Sequence, residues 1–282
     1  MATSLDQALE LLAAEPSAKI VAGGQSLIPL LNLRLARPSR LVDINRLGDL
    51  DTLVVGPQGL TIGPLVRHCR LAGDVRIQSH FPLLAQAARH IGHVAIRNRG
   101  SCGGSLCHAD PTAELSTALL ALDARFHLRS AAADRWVAAS DFFLGPYMTV
   151  MSEHEILVEV VAPARPAAEG TEFLEVNMRP GDFAVASVAA ATQVEAGCFK
   201  AVHLTWSGAD YRPLSVPTLA ARLVGEPADG STVDALAAEM LSGLEPPSDH
   251  RGSAAYRRQA LQVLTRRALR AAAQRAVQAG AK

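Results

Sequence analysis

The chain has 282 residues, 49% of them apolar and 19% charged, and its 27 basic and 27 acidic side chains cancel. That composition is ordinary for a globular protein, and the length suits two domains with room for a subdivided first one. Zero formal charge provides no whole-molecule field for nucleic acid or an anionic membrane, and no apolar run approaches the roughly 18 residues of a bilayer span.

The stretch from Met1 to Ala13 lacks a basic n-region and an apolar h-region, so no signal peptide is read. The four cysteines, Cys69, Cys102, Cys107 and Cys198, do not form the dense framework of a small secreted domain, and a cytoplasmic protein with free thiols is expected. A plant-type [2Fe–2S] site needs C-x4-C-x2-C plus a fourth cysteine. Cys102 and Cys107 have the first spacing, but no third cysteine follows, so no iron–sulfur cluster is expected in this chain.

In chain order, Ser4 suits the N-cap of a helix over Leu5–Ala14. Lys19–Ala22 reads as a short strand ending at Gly23-Gly24, Ser26–Leu33 as helical, and Arg40–Ile44 as strand. These form a first unit, residues 1–55. A second unit, 56–165, starts with a strand from Leu60, and Pro82 opens a helix through His90. Gly100–Ser105 reads as a glycine-rich loop, Pro111–Leu122 as a helix, and Arg125–Leu128 and Ile156–Val161 as strands. Ala162–Gly170, rich in Ala and Pro, reads as a linker. A third unit, 171–282, opens with three strands, Phe173–Val176, Ala184–Ala191 and Ala201–Trp206, whose short connections favour antiparallel pairing. Helices over Pro217–Leu223, Val233–Leu241 and Ser253–Ala279 follow.

Two glycine-rich segments carry the chemistry. In Ala22-Gly23-Gly24-Gln25-Ser26-Leu27, a strand runs into paired glycines and a helix start. Glycine admits positive φ and close approach of backbone N–H groups, and a helix start adds unpaired donors and partial positive charge, which together favour a pyrophosphate. A plain tight turn is the competing reading. The second segment is Gly100-Ser101-Cys102-Gly103-Gly104-Ser105, with Glu114 in the first turn of the helix that follows. Glu114 suits either the helix dipole or the hydroxyls of a ribose. Two such segments fit a dinucleotide better than either fits alone. Neither is a P-loop or a G-x-G-x-x-G Rossmann fingerprint.

These residues carry a resemblance. Ala22-Gly23-Gly24-Gln25-Ser26-Leu27-Ile28-Pro29 with Leu41-Val42-Asp43-Ile44-Asn45, the run Ile96 to Ser105, and His108-Ala109-Asp110-Pro111 through Glu114 to Ala124 resemble the flavoprotein (medium) subunits of the molybdenum hydroxylases, the carbon monoxide dehydrogenase and xanthine dehydrogenase relatives. Gly181-Asp182-Phe183-Ala184 and the Arg-rich closing segment, with Tyr256-Arg257-Arg258 and Arg266-Arg267, resemble that family's C-terminal domain.

The resemblance implies an α+β chain: a PCMH-type (vanillyl-alcohol-oxidase-like) FAD-binding domain of two α/β subdomains, then a C-terminal domain with a three-stranded antiparallel sheet and helices. It implies that the two glycine-rich segments (Ala22 to Leu27; Ser101, Cys102, Gly103, Gly104 and Ser105) bind the FAD pyrophosphate mainly through backbone N–H groups. Glu114 would lie near the ribose, and Ile91 and Leu157 near the flavin or adenine. It also implies a small partner subunit with [2Fe–2S] clusters and a large one with molybdopterin, as a dimer of heterotrimers, with electrons leaving the flavin for NAD, oxygen or another acceptor. The chain departs from the family pattern in starting at the first helix, in carrying Cys102 and Ser105 where Thr, Val or Ile and Asn are common, and in lacking a Lys between Phe173 and Arg179.

No catalytic acid or base is assigned, because a flavin can exchange electrons without one. Other readings are weighed beside this one. Cys102, Cys107, His108 and Asp110 do not have structural-zinc spacing. Cys102 could be a reactive thiol if a helix end lowers its pKa, or a small filler. His90 and His93 flank Gly92 and could carry a covalent flavin link, although the surrounding motif is of the non-covalent kind. From Asp249 onward there are eight Lys or Arg and one acid, but the spacing of Leu261, Leu264, Ala268 and Ala272 indicates packing rather than nucleic-acid binding. Trp206 and Tyr211 are read as domain packing. The functional alternatives are a stand-alone PCMH-type oxidoreductase with its own substrate, and an FAD-free scaffold or nucleotide sensor.

Overall fold

A computed structural model describes residues 1–281. In the first unit, α1 (Leu5–Ala14) starts where Ser4 Oγ accepts the Gln7 N–H at 3.1 Å, and it buries Ala8, Leu9 and Leu12. Strand β1 (Lys19–Val21) pairs in parallel with β2 (Leu41–Asp43), and α2 (Leu27–Asn32) lies in the crossover between them. Parallel strands require such a crossover, and it places Gly23-Gly24 directly off the carboxyl end of β1.

The second unit is a five-stranded antiparallel sheet with helices. Its strands are β3 (Leu53–Gly56), β4 (Gly59–Ile62), β5 (Arg125–Arg129), β6 (Asp134–Ala138) and, after a small hairpin of β7 (Phe143–Gly145) and β8 (Met148–Thr149), β9 (Ile156–Pro163). The order is β3-β4-β9-β5-β6. Between β4 and β5 run α3 (His68–Gly73), α4 (Val75–His80), α5 (Pro82–His90), α6 (Val94–Arg99), α7 (Cys102–His108) and α8 (Glu114–Ala121); α9 (Ala139–Phe142) follows β6.

Several sequence expectations need correction here. Helices α3, α4 and α6 are six residues each, too short to show a period. The expected loop Gly100–Ser105 is mostly helix: Ser101 caps α7, accepting the Gly104 N–H, and Gly103 and Gly104 are helical. The helix expected from Pro111 begins at Glu114, because Asp110, Thr112 and Ala113 form a turn in which Asp110 Oδ1 accepts the Thr112 N–H at 2.9 Å.

The third unit forms the sheet β10 (Gly170–Asn177), β11 (Ala184–Glu195), β12 (Cys198–Ser207) and β13 (Leu214–Ser215), antiparallel in that order, so a short fourth strand joins the three expected. Then come α10 (Pro217–Ala221), α11 (Gly230–Ser242) and α12 (Ala254–Gly280). Leu261, Leu264, Ala268, Leu269 and Ala272 of α12 are buried, and the buried Trp206 donates its Nε1–H to Thr265 Oγ1 at 2.8 Å. Tyr211, expected to pack, is 60% exposed.

All eight residues of α8 are buried, the state of a helix enclosed on every side. Leu115 and Leu119 share one apolar cluster with Phe126 and Val160 of the five-stranded sheet, and with Phe173, Ala189 and Ala191 of the C-terminal sheet. The two domains therefore share one apolar cluster at their junction, while the C-terminal domain keeps a second cluster of its own around Trp206, Leu261 and Leu269. The expected linker is shorter than read, since β9 continues to Pro163 and β10 begins at Gly170. The intervening residues are pinned by Arg165 and Glu169, which pair at 2.5 Å with side chains 8% and 4% exposed. No helix among the described residues is long and apolar enough to cross a membrane.

At Gly170, a Cβ would stand 1.9 Å from the Ala272 carbonyl oxygen of α12. Gly170→Ala is therefore expected to destabilise the chain by about 1–3 kcal/mol through overpacking. Thermal unfolding would show a transition several degrees lower, and an unchanged midpoint would rule out this contact as a constraint.

Candidate cofactor-binding site

A cavity of about 730 Å³ opens where the three units meet. Its walls include Ala22 through Leu27, Ile91, Ser101, Gly103, Gly104, Ser105, Glu114 and Leu157, so thirteen of the fourteen residues singled out from the sequence converge on one space. The exception is Cys102, whose side chain is fully buried in the core and away from the cavity. Burial, followed by the nearby Cys107, pushes its thiol up to about 12. That describes an inert filler and not the reactive thiol weighed from sequence.

The two glycine segments contribute differently. In the first, the backbone N–H groups of Ala22, Gly23, Gly24, Gln25, Ser26 and Leu27 have no partner among the described residues, while Asn45 Nδ2 holds the Ala22 carbonyl at 2.9 Å and Gln25 Nε2 the Gly23 carbonyl at 3.2 Å. Buried or partly buried amides are nearly always paired, and all of these residues except the exposed Gln25 are buried or half-buried, so this stretch of cavity wall suits an acceptor-rich ligand. In the second, the amides of Cys102, Gly103, Gly104 and Ser105 are already engaged by Val66 O, Pro64 O, Ser101 Oγ and Ser101 O. Of that stretch, only Ser101 N–H has no partner among the described residues.

The glycines of the second segment are required by packing. A Cβ on Gly103 would meet Pro64 Cβ at 2.4 Å, and one on Gly100 would meet the His68 ring at 2.6 Å. Across the cavity floor, a Cβ on Gly23 would lie 2.4 Å from Arg99 O and 2.9 Å from Gly100 Cα. The two segments thus touch backbone to backbone, and Gly24 adopts a φ of 73° that favours glycine.

Several wall residues were not singled out from sequence. His68 is 4% exposed, and burial, then Arg67 and Arg97, pushes its imidazole down to about 4, so it is neutral; its Nδ1 is buried without a partner. Asp110 is buried, with Oδ2 accepting Tyr147 Oη–H at 3.3 Å. Gly181, Asp182 and Phe183, in the β10–β11 turn, bring the C-terminal domain to the cavity. A Cβ on Gly181 would lie 3.1 Å from the Gly92 backbone, and the Arg251 guanidinium sits 4.8 Å over the Phe183 ring. Phe183 lies in a run with sequence character of its own, Gly181-Asp182-Phe183-Ala184, but nothing local says that it returns to a cavity some 80 residues earlier in the chain. His90 and His93 are not among the cavity walls; His93 Nδ1 accepts the Ile96 N–H at the start of α6.

Glu114 is one of three buried acids on the cavity wall, beside Asp110 and Glu155. It is 6% exposed, and burial, then repulsion from Glu175, pushes its carboxyl up to about 8. It holds its proton at neutral pH and can donate as well as accept.

Residues 1–165 match the family described as FAD binding domain in molybdopterin dehydrogenase, and residues 172–272 match the CO dehydrogenase flavoprotein C-terminal domain. The chain belongs to the FAD-binding medium subunits of the molybdenum hydroxylases. This medium subunit is 35% identical to the glyceraldehyde dehydrogenase medium chain of Sulfolobus acidocaldarius, over 95% of each chain. It is 37% identical to the 6-hydroxypseudooxynicotine dehydrogenase complex subunit alpha of Paenarthrobacter nicotinovorans, over 98% of this chain and 94% of that one. The crystal structure of quinoline 2-oxidoreductase from Pseudomonas putida 86 contains a chain that superposes with a TM-score of 0.93 at 36% identity, covering 98% of this chain and 96% of that one. The medium subunit is an oxidoreductase component whose cofactor is FAD, and the unpartnered amides, the glycine cradle and the cavity of about 730 Å³ fit that group.

Two outcomes follow. Gly23→Ala forces the two segments apart and should weaken FAD binding by tenfold or more, about 1.4 kcal/mol, with far-UV circular dichroism unchanged; fluorescence titration with FAD checks this. For Glu114, whose folded-state pKa is raised above the ordinary 4.5 to about 8, the favourable contribution is complete below pH 4.5 and is lost as pH rises through 8. In cofactor-free protein, Glu114→Gln should therefore gain stability relative to wild type as pH rises from 5 to 9, measured by urea unfolding at each pH.

Proposed function

We propose that this medium subunit is the electron-relay component of a cytoplasmic heteromeric hydroxylase and does not itself transform the organic substrate. Its partners are a small subunit with [2Fe–2S] clusters and a large subunit with molybdopterin, assembled as a dimer of heterotrimers. Electrons enter from the clusters and leave for an external acceptor.

The observation that carries the reading is a run of six residues lining one cavity whose amides have no partner among the described residues, the cavity being assembled from all three units. In this reading, Ala22 to Leu27 hold the FAD pyrophosphate. Ser101, Gly103, Gly104 and Ser105 form the opposite wall, Cys102 anchors that wall in the core, Glu114 meets the ribose hydroxyls, and Ile91 and Leu157 lie against the flavin or adenine. When bound, the flavin supplies the ability to accept electrons singly and release them as a pair. The protein supplies position, exclusion of water and local electrostatics. The relatives named as a medium chain and as a complex subunit support a multi-subunit setting.

Purified complex stripped of FAD should still show substrate-driven reduction of its iron–sulfur centres, followed by electron paramagnetic resonance. Turnover of the external acceptor should fall by on the order of a hundredfold or more and return with added FAD. If the isolated medium subunit oxidised an organic substrate by itself, the alternative, a stand-alone PCMH-type oxidoreductase, would replace this reading.

A further inference from the structure

The peptide between Ala22 and Gly23 is held from outside the cavity. Asn45, just past β2, donates its Nδ2–H to the Ala22 carbonyl at 2.9 Å. A peptide group is planar and trans, so the C=O of Ala22 and the N–H of Gly23 point in opposite directions. Holding the carbonyl on Asn45 therefore sets the direction of the Gly23 N–H, which has no partner among the described residues. Gly23 lines the cavity and Asn45 does not.

Asn45 is itself clamped at both ends. Asp43 Oδ1 accepts its backbone N–H at 2.9 Å and its Nδ2–H at 2.7 Å, and the Arg67 guanidinium donates Nη2–H to its Oδ1 at 2.7 Å. The Asn45 backbone N–H holds the Asp43 carboxyl below its ordinary range, so that group only accepts, whereas a guanidinium only donates. With an acceptor on one side and a donor on the other, the Asn45 amide has one satisfied orientation, its nitrogen toward Ala22. The other arm of Arg67 donates Nη1–H to the Arg99 carbonyl at 2.6 Å. This is the carbonyl that Gly23 packs against, 2.4 Å from where a Cβ on Gly23 would stand. One half-buried guanidinium, just ahead of α3 and outside the cavity wall, thus ties the first unit to the second at the glycine contact.

We propose that Arg67 and Asn45 are positioning residues for FAD: the guanidinium bridges the two glycine segments and orients the Asn45 amide, which directs the Gly23 N–H at the diphosphate. The proposal rests on the FAD reading above and names the side chains that aim its amides. Neither residue touches the cofactor; both act through the backbone. Lysine is not an adequate substitute at position 67, because a single ammonium on a flexible stem lacks the planar fork that spans two fixed oxygens.

The test is a fluorescence titration of FAD into the FAD-stripped full-length chain, for Arg67→Met, Asn45→Ala and the two combined. Each single variant should raise the Kd by about tenfold. Because Arg67 works through Asn45, the double variant should bind about as well as the weaker single one. An unchanged Kd in either single variant, or losses that multiply to about a hundredfold in the double, overturns the proposal. Arg67→Lys separates position from charge. It should bind FAD nearly as weakly as Arg67→Met, and wild-type affinity would mean that positive charge alone suffices. With isotope-labelled glycine, the Gly23 amide proton should move downfield when FAD binds to the wild type and lose most of that shift in Asn45→Ala; an equal shift in both counts against the scheme. Should Arg67→Met fail to fold by far-UV circular dichroism, Arg67→Lys with Asn45→Ala completes the same comparison. A wild-type chain that binds no FAD refutes the cofactor reading, whereas wild-type binding with unaltered variants refutes only the positioning role.

Discussion

The cavity exists because two backbones from different subdomains touch. Gly23, at the end of a parallel strand, and Gly100, ahead of a short helix, approach so closely that a methyl group on the first would overlap the Arg99 carbonyl. Any side chain there separates the subdomains and tilts the row of free amides. This contact makes one site out of two segments that would otherwise be separate turns. The second segment is fastened in turn, since its own amides are used up on Pro64, Val66 and Ser101. One wall is therefore a rigid support and the other an array of available donors.

A second constraint is the apolar cluster that the two domains share at their junction. Helix α8 is enclosed by both sheets, so the acid at its first turn, Glu114, is held by packing from two domains. The C-terminal domain also reaches round to the cavity through Gly181 and Phe183, with Arg251 over the ring. A domain that could have been a separate docking module is instead part of the site. Its β10 strand brings Glu175 beside His90. The sequence reading assigned no acid or base to this chain, because a flavin can exchange electrons without one.

Local patterns determined much of this protein without help. The Ser4 cap, the Pro82 start, the buried face of the last helix, the antiparallel C-terminal strands and the glycine turn after β1 were legible, because each depends on neighbours a few residues away and on the fixed periods of helix and strand. Short elements were not: helices of six residues carry too few positions to show a period, and the helical state of Gly103-Gly104 runs against glycine's own preference. Tertiary structure alone decided which amides remain free, that Cys102 turns inward, that His68 and Phe183 line the cavity, and that Glu175 lies buried beside His90. Those properties follow from desolvation and steric exclusion between segments distant in sequence, and neither has a local signature.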